Sequence, residues 1–433
     1  MLQMKMWSLA AALACLSIVG CRKEEAAMPT APPRTSFECF DQRARNGERL
    51  NVVFFGASLT WGANATDPQT TSYRAQFADW LEQKYPKAHF RFTDAAIGGT
   101  GSQLGVFRFD RDVLRHKPDL VLLDFSANDD IYSEDPENGA SYESLVRRTI
   151  LDAKSPIIIV MFPFQWNVSQ GNTDGMKRRD VHIRIAQAYN APYGDAITLC
   201  QERVKSGAVK IAQIWPADGV HPGNLGYGLF AEAAGQAFDD GLAGKLVCSV
   251  PERMQFADTY MRNARVRISS LGPLPEGWRT GTPNLTSAWY DGLMSRWLDD
   301  EVIASNVAEI KKSDGKTEKV YRQPGRIKVK FNAAVVLLFG EETMKSGKYR
   351  TWLDGKLMEY PQGQNKPTLT EIDAAGLRCG GNRQHVWRIG QGLDTAVDHV
   401  LEIEPVFASD VEQELRLESI CVAGGKATVT HTE

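Results

Sequence analysis

The sequence predicts an α/β fold followed by a β-sandwich: a mainly parallel sheet between two layers of helices over roughly residues 50 to 245, then antiparallel strands to the end. Two textures carry that expectation. "LNVVFF" (50–55), "LVLLDF" (120–125) and "PIIIVMF" (156–162) are nearly continuous apolar runs, as strands covered on both faces require, and amphipathic helical stretches separate them. Past about residue 255 apolar and polar residues alternate instead, and few long helical stripes remain.

Taken in order, residues 1–20 read as a signal peptide, 21–48 as a tether, 49–250 as the α/β domain and 251–433 as the sandwich. Lys5 precedes the apolar run "WSLAAALACLSIVG", which is short for a membrane span and suits the apolar core of a signal peptide. The tail Ile18-Val19-Gly20-Cys21 resembles a bacterial lipobox, which implies a lipidated Cys21 and an exported lipoprotein, anchored to a membrane of the cell envelope on its periplasmic or cell-surface side. "RKEEAAMPTAPPRT" behind it has the polar, Pro- and Ala-rich composition of a flexible spacer.

Within the α/β part, Tyr73, Phe77, Trp80 and Leu81 fall on one helical face. Pro118 and Pro156 end the helices before the second and third apolar runs, and a last helix is predicted over 223–240. In the sandwich, "RIKVKF" (326–331) places Ile327, Val329 and Phe331 on one face. Asp354-Gly355 marks a hairpin turn, while "HVWRI" and "ELRLESICV" supply further strands.

Charge is nearly balanced, 50 basic against 53 acidic residues, which excludes the basic footprint of a nucleic-acid binder. Of seven cysteines, Cys15 leaves with the signal and Cys21 carries the lipid; Cys39, Cys200, Cys248, Cys379 and Cys421 allow one or two disulfides in an export compartment, with pairing open. There is no CxxC and no histidine cluster at metal-ligand spacing, so neither a structural zinc nor a cofactor is predicted.

Chemistry concentrates in four stretches. "FFGASLTWG" (54–62) sets Ser58 on the turn after a strand, and "DAAIGGTGS" (94–102) follows a strand with glycines whose backbone amides can approach a ligand. "LLDFSANDD" (122–130) puts Asn128 just past the carboxyl end of a buried strand. "ADGVHPGNLGY" (217–227) spaces Asp218 and His221 three apart, with Pro222 holding His221 out of helical geometry. A serine hydroxyl attacks an ester only when a base takes its proton, and a short Asp-to-His spacing lets the carboxylate hold the imidazole in the useful tautomer.

Together the four stretches resemble the SGNH (GDSL-type) hydrolase family over roughly residues 50 to 240, every block in the family's order. The resemblance implies a three-layer, flavodoxin-like α/β/α domain and a metal-independent serine ester hydrolase. It makes Ser58 the nucleophile, His221 the base and Asp218 its orienting acid. It assigns the oxyanion donors to the Ser58 amide, the Gly99 amide (Gly98 lies one register step away) and the Asn128 side chain. Three positions depart from the family pattern without removing a catalytic group: Ala57 replaces the signature aspartate, Ser126 a glycine, and Asp94 a common asparagine. Lipoprotein members with an appended sandwich resemble carbohydrate acetylesterases, which implies an acetylated polysaccharide as substrate. A lysophospholipase, a thioesterase, a glycan O-acyltransferase and a glycan-binding lipoprotein without turnover stay open as alternatives.

The remaining candidates carry ordinary readings beside functional ones. His89, His116 and His182 have no partner pattern and read as surface or packing residues. Trp166 lies in a long loop that either walls a substrate site or simply packs, and Trp278, Trp289, Trp297, Trp352 and Trp387 either stack on sugar rings or fill the sandwich core.

Overall fold

The structure is a computed structural model that describes residues 32–284, 298–361, 367–376 and 382–432. Cys21, the signal peptide, Trp289, Trp297 and Cys379 lie outside the described residues. The chain enters through α1 (Phe37–Arg45), capped by the Ser36 hydroxyl, which accepts from the Cys39 amide at 3.0 Å. Then β1 (Arg49–Gly56) leads through one helical turn, α2 (Ser58–Trp61), into α3 (Tyr73–Lys84) and β2 (His89–Ala96). Next come α4 (Ser102–Asp112), β3 (Leu120–Leu123), α5 (Pro136–Leu151) and β4 (Ile157–Met161). Short α6 (Gln165–Ser169) and α7 (Lys177–Ala188) precede β5 (Tyr193–Asp195). The α/β part closes with α8 (Ala196–Lys205), α9 (Ile211–Ile214) and α10 (Asn224–Ala243).

The five strands are parallel in the order β2-β1-β3-β4-β5. Each apolar run is continuous because helices cover both faces. Phe54 meets Tyr73 and Phe77 of α3 at ring distances of 5.8 and 6.0 Å, while its neighbour Phe55 turns the other way onto Phe109 of α4 and Phe125 at 6.3 and 5.4 Å. The strand order reverses at β1, where such sheets open a crevice beyond their carboxyl ends. Register makes the three relevant ends level: Gly56 lies opposite Ala96 of β2, and Phe55 opposite Leu123 of β3.

Beyond residue 250 the chain stays pinned to the α/β part. Fully buried Glu143 of α5 accepts the amides of Gln255 and Phe256, each at 2.8 Å, and the Tyr260 hydroxyl donates to Glu137 at 2.8 Å. The strands that follow are β6 (Asn263–Arg267), β7 (Trp278–Gly281), β8 (Glu301–Ser305), β9 (Val307–Lys311) and β10 (Thr317–Tyr321). After them come β11 (Ile327–Asn332), β12 (Val335–Thr343), β13 (Lys348–Leu353), β14 (Lys356–Leu357) and β15 (Ile372–Asp373). The last four are β16 (Asn382–Gly390), β17 (His399–Val406), β18 (Glu414–Ala423) and β19 (Thr428–His431).

One sheet runs β14-β13-β17-β11-β19 with β15 beside β13, the other β16-β12-β18-β8-β7 with β6 beside β18. Asp354 and Gly355, at φ 51° and 77°, make the tight turn from β13 to β14. The sandwich interior holds Val329, Phe331, Val336, Leu338, Ile420 and Val422. Alternate residues of the second sheet, Val335, Leu337, Phe339, Cys421 and Ala423, join the core of the α/β part. This inner sheet is therefore covered on both faces, and residues 33–433 form one compact unit.

Cys39, Cys200, Cys248 and Cys421 are free thiols, so none of these four forms the disulfide the cysteine count left open. His182 is a packing residue: its ring stacks on Tyr142 at 3.7 Å, and burial lowers its pKa far below the ordinary value.

Candidate active site

The turn after β1 is built for a displayed serine. A Cβ on Gly56 would overlap the Thr60 hydroxyl and come within 2.7 Å of the Asp124 carbonyl oxygen, so only glycine fits where the strand breaks into the loop. Ala57 stays extended, and Ser58 opens α2, whose turn closes through Trp61 N–H to Ala57 O and Gly62 N–H to Ser58 O, both 2.9 Å. His221, just before α10, brings Nε2 to 3.0 Å from Ser58 Oγ. Its Nδ1 lies 3.4 Å from Asp218 Oδ2.

Asp218 is fixed before it touches the imidazole. Its Oδ1 accepts the amides of Val220 and His221 at 2.7 Å each, and its Oδ2 accepts Asn64 Nδ2 at 2.7 Å. Burial pushes the Asp218 pKa up, but the His221 and Val220 amides and the Asn64 side chain hold it below the ordinary carboxylate value. For His221 burial prevails over Asp218 and lowers the imidazole pKa, which keeps it in the neutral form a base needs. Asn64 carried no sequence pattern; it sits at φ 66° in the loop after α2 and reaches across 154 positions to Asp218. Nearby, Asn224 locks the same loop by accepting the Thr66 amide at 2.9 Å and donating to its hydroxyl at 2.8 Å.

The two other loops lie beside Ser58 because β2 and β3 flank β1. The Ile97 amide donates to Gly56 O at 3.2 Å, continuing the ladder past the strand end. Behind it, the buried Arg108 guanidinium donates to the carbonyls of Ala95 and Gly56, each at 2.7 Å, so one cation ties the ends of β2 and β1 together. Burial lowers the Arg108 pKa to about 10 although Asp112 pairs with it at 2.9 Å. Gly98 is buried, whereas Gly99 is exposed and holds φ 72°, a left-handed conformation suited to glycine. Half-buried Asn128 precedes Asp129, whose carboxylate accepts the Ser102 amide at the start of α4 at 2.8 Å and thereby joins the β3 loop to the glycine loop. Burial raises the Asp129 pKa to about 6.

Residues 54–229 match the model of the GDSL-like lipase/acylhydrolase family. The match spans the α/β part and leaves the sandwich outside it. Over 210 residues the chain is 27% identical to an acetylxylan esterase of Geobacillus stearothermophilus, covering 43% of this chain and 92% of that protein. Among solved structures, a two-domain esterase (CEX) active on acetylated mannans, co-crystallized with mannopentaose, superposes with a TM-score of 0.69 at 21% identity, covering 91% of this chain and 98% of that one. A second structure of a two-domain esterase so described gives 0.66 at 22% identity over 91% and 99%. The fold of those structures thus extends over the sandwich as well as the hydrolase part.

Where the matched stretch departs from the pattern it resembles, the substitutes have found local partners. Ala57 is completely buried. Ser126 donates to Asp124 at 3.2 Å and accepts the Phe162 amide at 2.9 Å, linking the ends of β3 and β4. Asp94 accepts the Ala96 amide at 3.1 Å and pairs with Arg74 at 3.4 Å. Trp166 is 48% exposed, and the adjacent Gln165 amide donates to Gly219 O at 2.8 Å, which sets the indole beside the loop bearing Asp218 and His221. The three sandwich tryptophans among the described residues are engaged in packing: Trp278 donates to Gly325 O at 2.7 Å, Trp352 lies under Arg326 at 4.8 Å, and Trp387 meets Tyr360 at 5.5 Å.

Proposed function

We propose that this chain is a serine esterase that removes acetyl groups from an acetylated polysaccharide, working from the cell envelope on a lipid carried by Cys21. The observation that carries the reading is the line from Asp218 through His221 to Ser58, with Nε2 3.0 Å from Oγ at the carboxyl end of β1. Ser58 Oγ attacks the acetyl carbonyl as His221 Nε2 takes the hydroxyl proton, and Asp218 steadies the imidazolium. The Ser58 and Gly99 amides and the Asn128 side chain receive the oxyanion; each such donor is typically worth about 100- to 1000-fold in turnover. Collapse of the tetrahedral adduct expels the sugar alcohol with the proton from His221, and water then releases acetate from Ser58 by the same steps.

The acetyl ester and the polysaccharide are supported by the acetylxylan esterase relative and by the likeness in fold, over 91% of the chain, to an esterase active on acetylated mannans. Acetate release from acetylated xylan and acetylated glucomannan tests the reading, with Ser58→Ala as control. Release by the wild type that vanishes in the variant is expected. Activity that climbs from acetyl to octanoyl p-nitrophenyl esters would instead favour a lipid or thioester substrate. The envelope address predicts that Cys21→Ala moves the protein from the membrane fraction to the soluble one.

A further inference from the structure

The sandwich reaches the glycine loop beside Ser58 through Gln384 of β16. Along β16 side chains alternate: His385, Trp387 and Ile389 turn toward the sandwich interior, where His385 Nε2 meets the Tyr349 hydroxyl at 2.7 Å. Gln384, Val386 and Arg388 turn toward the hydrolase part; Val386 packs against its core, and Arg388 lies 3.7 Å from Asp135 at the cap of α5. Gln384 is 4% exposed, and its Nε2 donates to the carbonyl oxygen of Gly98 at 2.7 Å across 286 positions of sequence.

That carbonyl belongs to the same planar peptide group as the Gly99 N–H, and in a trans peptide the two point in opposite directions. Whatever fixes the oxygen therefore fixes the direction of the N–H. Gly99, at φ 72°, lacks a side chain to hold its loop, so the peptide needs an outside restraint. Donation to the carbonyl also polarises the peptide and makes its N–H a better donor. We infer that Gln384 is a positioning residue for the oxyanion: through Gly98 O it aims the Gly99 N–H, which makes the sandwich part of the acyl-transfer machinery. This rests on the esterase reading above.

The test uses the full chain and p-nitrophenyl acetate, a substrate too small to report on glycan binding. Gln384→Met keeps the volume and removes the donor; Gln384→Glu keeps the shape and sets an acceptor against the carbonyl, and it serves if Met at this position does not fold. Turnover is counted per active site titrated with a fluorophosphonate. Expected is a fall in kcat of about 10- to 100-fold with KM within about twofold, the signature of an interaction made in the transition state. Arg388→Ala, on the same face of β16 but against α5, should keep wild-type kcat. Unchanged kcat in both Gln384 variants, a rise in KM alone, or an equal fall in Arg388→Ala overturns the inference. Ser58→Ala separates the two levels: turnover surviving there removes the esterase reading and this inference with it, whereas its loss there beside full kcat in the Gln384 variants removes this inference alone.

Discussion

The two sheets of the sandwich are made of similar strands but live in different surroundings. In β11 the alternation runs wet and dry, with Lys328 and Lys330 exposed between buried Ile327, Val329 and Phe331. In β12 the run Val335–Glu341 is buried throughout, because one face meets the other sheet and the opposite face meets the hydrolase part. An antiparallel sheet usually keeps one face for water; this one gives both away. The inner sheet acts as a wall shared by two structures, and the outer sheet serves only the sandwich.

A charge in the shared wall should do the most damage. Leu337→Asp buries a carboxylate among apolar side chains of the hydrolase core and is expected to abolish folding and esterase turnover together, since an unpaired buried charge costs several kcal/mol. Lys330→Gln on the outer sheet should change the melting temperature little, its exposed pair with Asp398 being worth under about 1 kcal/mol. Thermal melting and p-nitrophenyl acetate turnover, measured side by side, decide whether the two sheets differ this way.

A milder pair sharpens the same contrast. Phe339→Ala and Phe331→Ala each remove a buried ring and should each lose about 3–5 kcal/mol of stability. Below the melting transition of both variants, only Phe339→Ala should also lower kcat, because Phe339 packs in the core the sandwich shares with the hydrolase part while Phe331 packs inside the sandwich. Equal kcat in the two would mean that the wall transmits nothing.

The comparison also explains what could be read from sequence. The alternation of "RIKVKF" and the Asp354-Gly355 turn were legible because each depends on neighbours a few residues away. So were the loops of Ser58, Asn128 and His221, short motifs that belong to strand ends or to the start of a helix. The double burial of β12 was not, because nothing in "VVLLFG" tells which surface will cover its second face. Gln384 and Asn64 were missed for the same reason: each is an ordinary polar residue until a loop 286 or 154 positions away comes to meet it. The cysteine count allowed one or two bridges, but Cys200, Cys248 and Cys421 are free, buried packing residues whose thiol pKa values burial raises to about 12.

Titration separates the two parts as well. In the inner sheet, fully buried Glu301 and Glu341 share Arg416, which lies 3.1 Å from the first and 2.7 Å from the second. Burial and the neighbouring carboxylate raise the Glu301 pKa. A carboxyl raised in the folded state stabilises most below its ordinary pKa and loses that contribution as pH climbs through the raised value. Glu301→Gln should therefore flatten the decline in unfolding free energy between pH 5 and 9, by on the order of 1–3 kcal/mol in denaturant melts, and leave the acid limb of activity where it was. A profile as steep as the wild type's would show that Arg416 already compensates the charge.

The smallest effect belongs to the hydrolase side, where titration alters chemistry instead of stability. In the mechanism proposed above His221 must be neutral to take the Ser58 proton, and burial lowers its pKa from the ordinary 6.5. Neutral imidazole then persists to lower pH, so the acid limb of kcat/KM is expected to have its midpoint below 6.5. A group titrating at 6.5 would leave about a quarter of the plateau rate at pH 6, and this protein should retain more. The limb should be the same in Glu301→Gln, which lies in the wall away from the imidazole. A midpoint at or above 6.5 would mean that Asp218 outweighs burial at His221, and a limb that moves with Glu301 would mean that the wall carries charge as well as packing into the site.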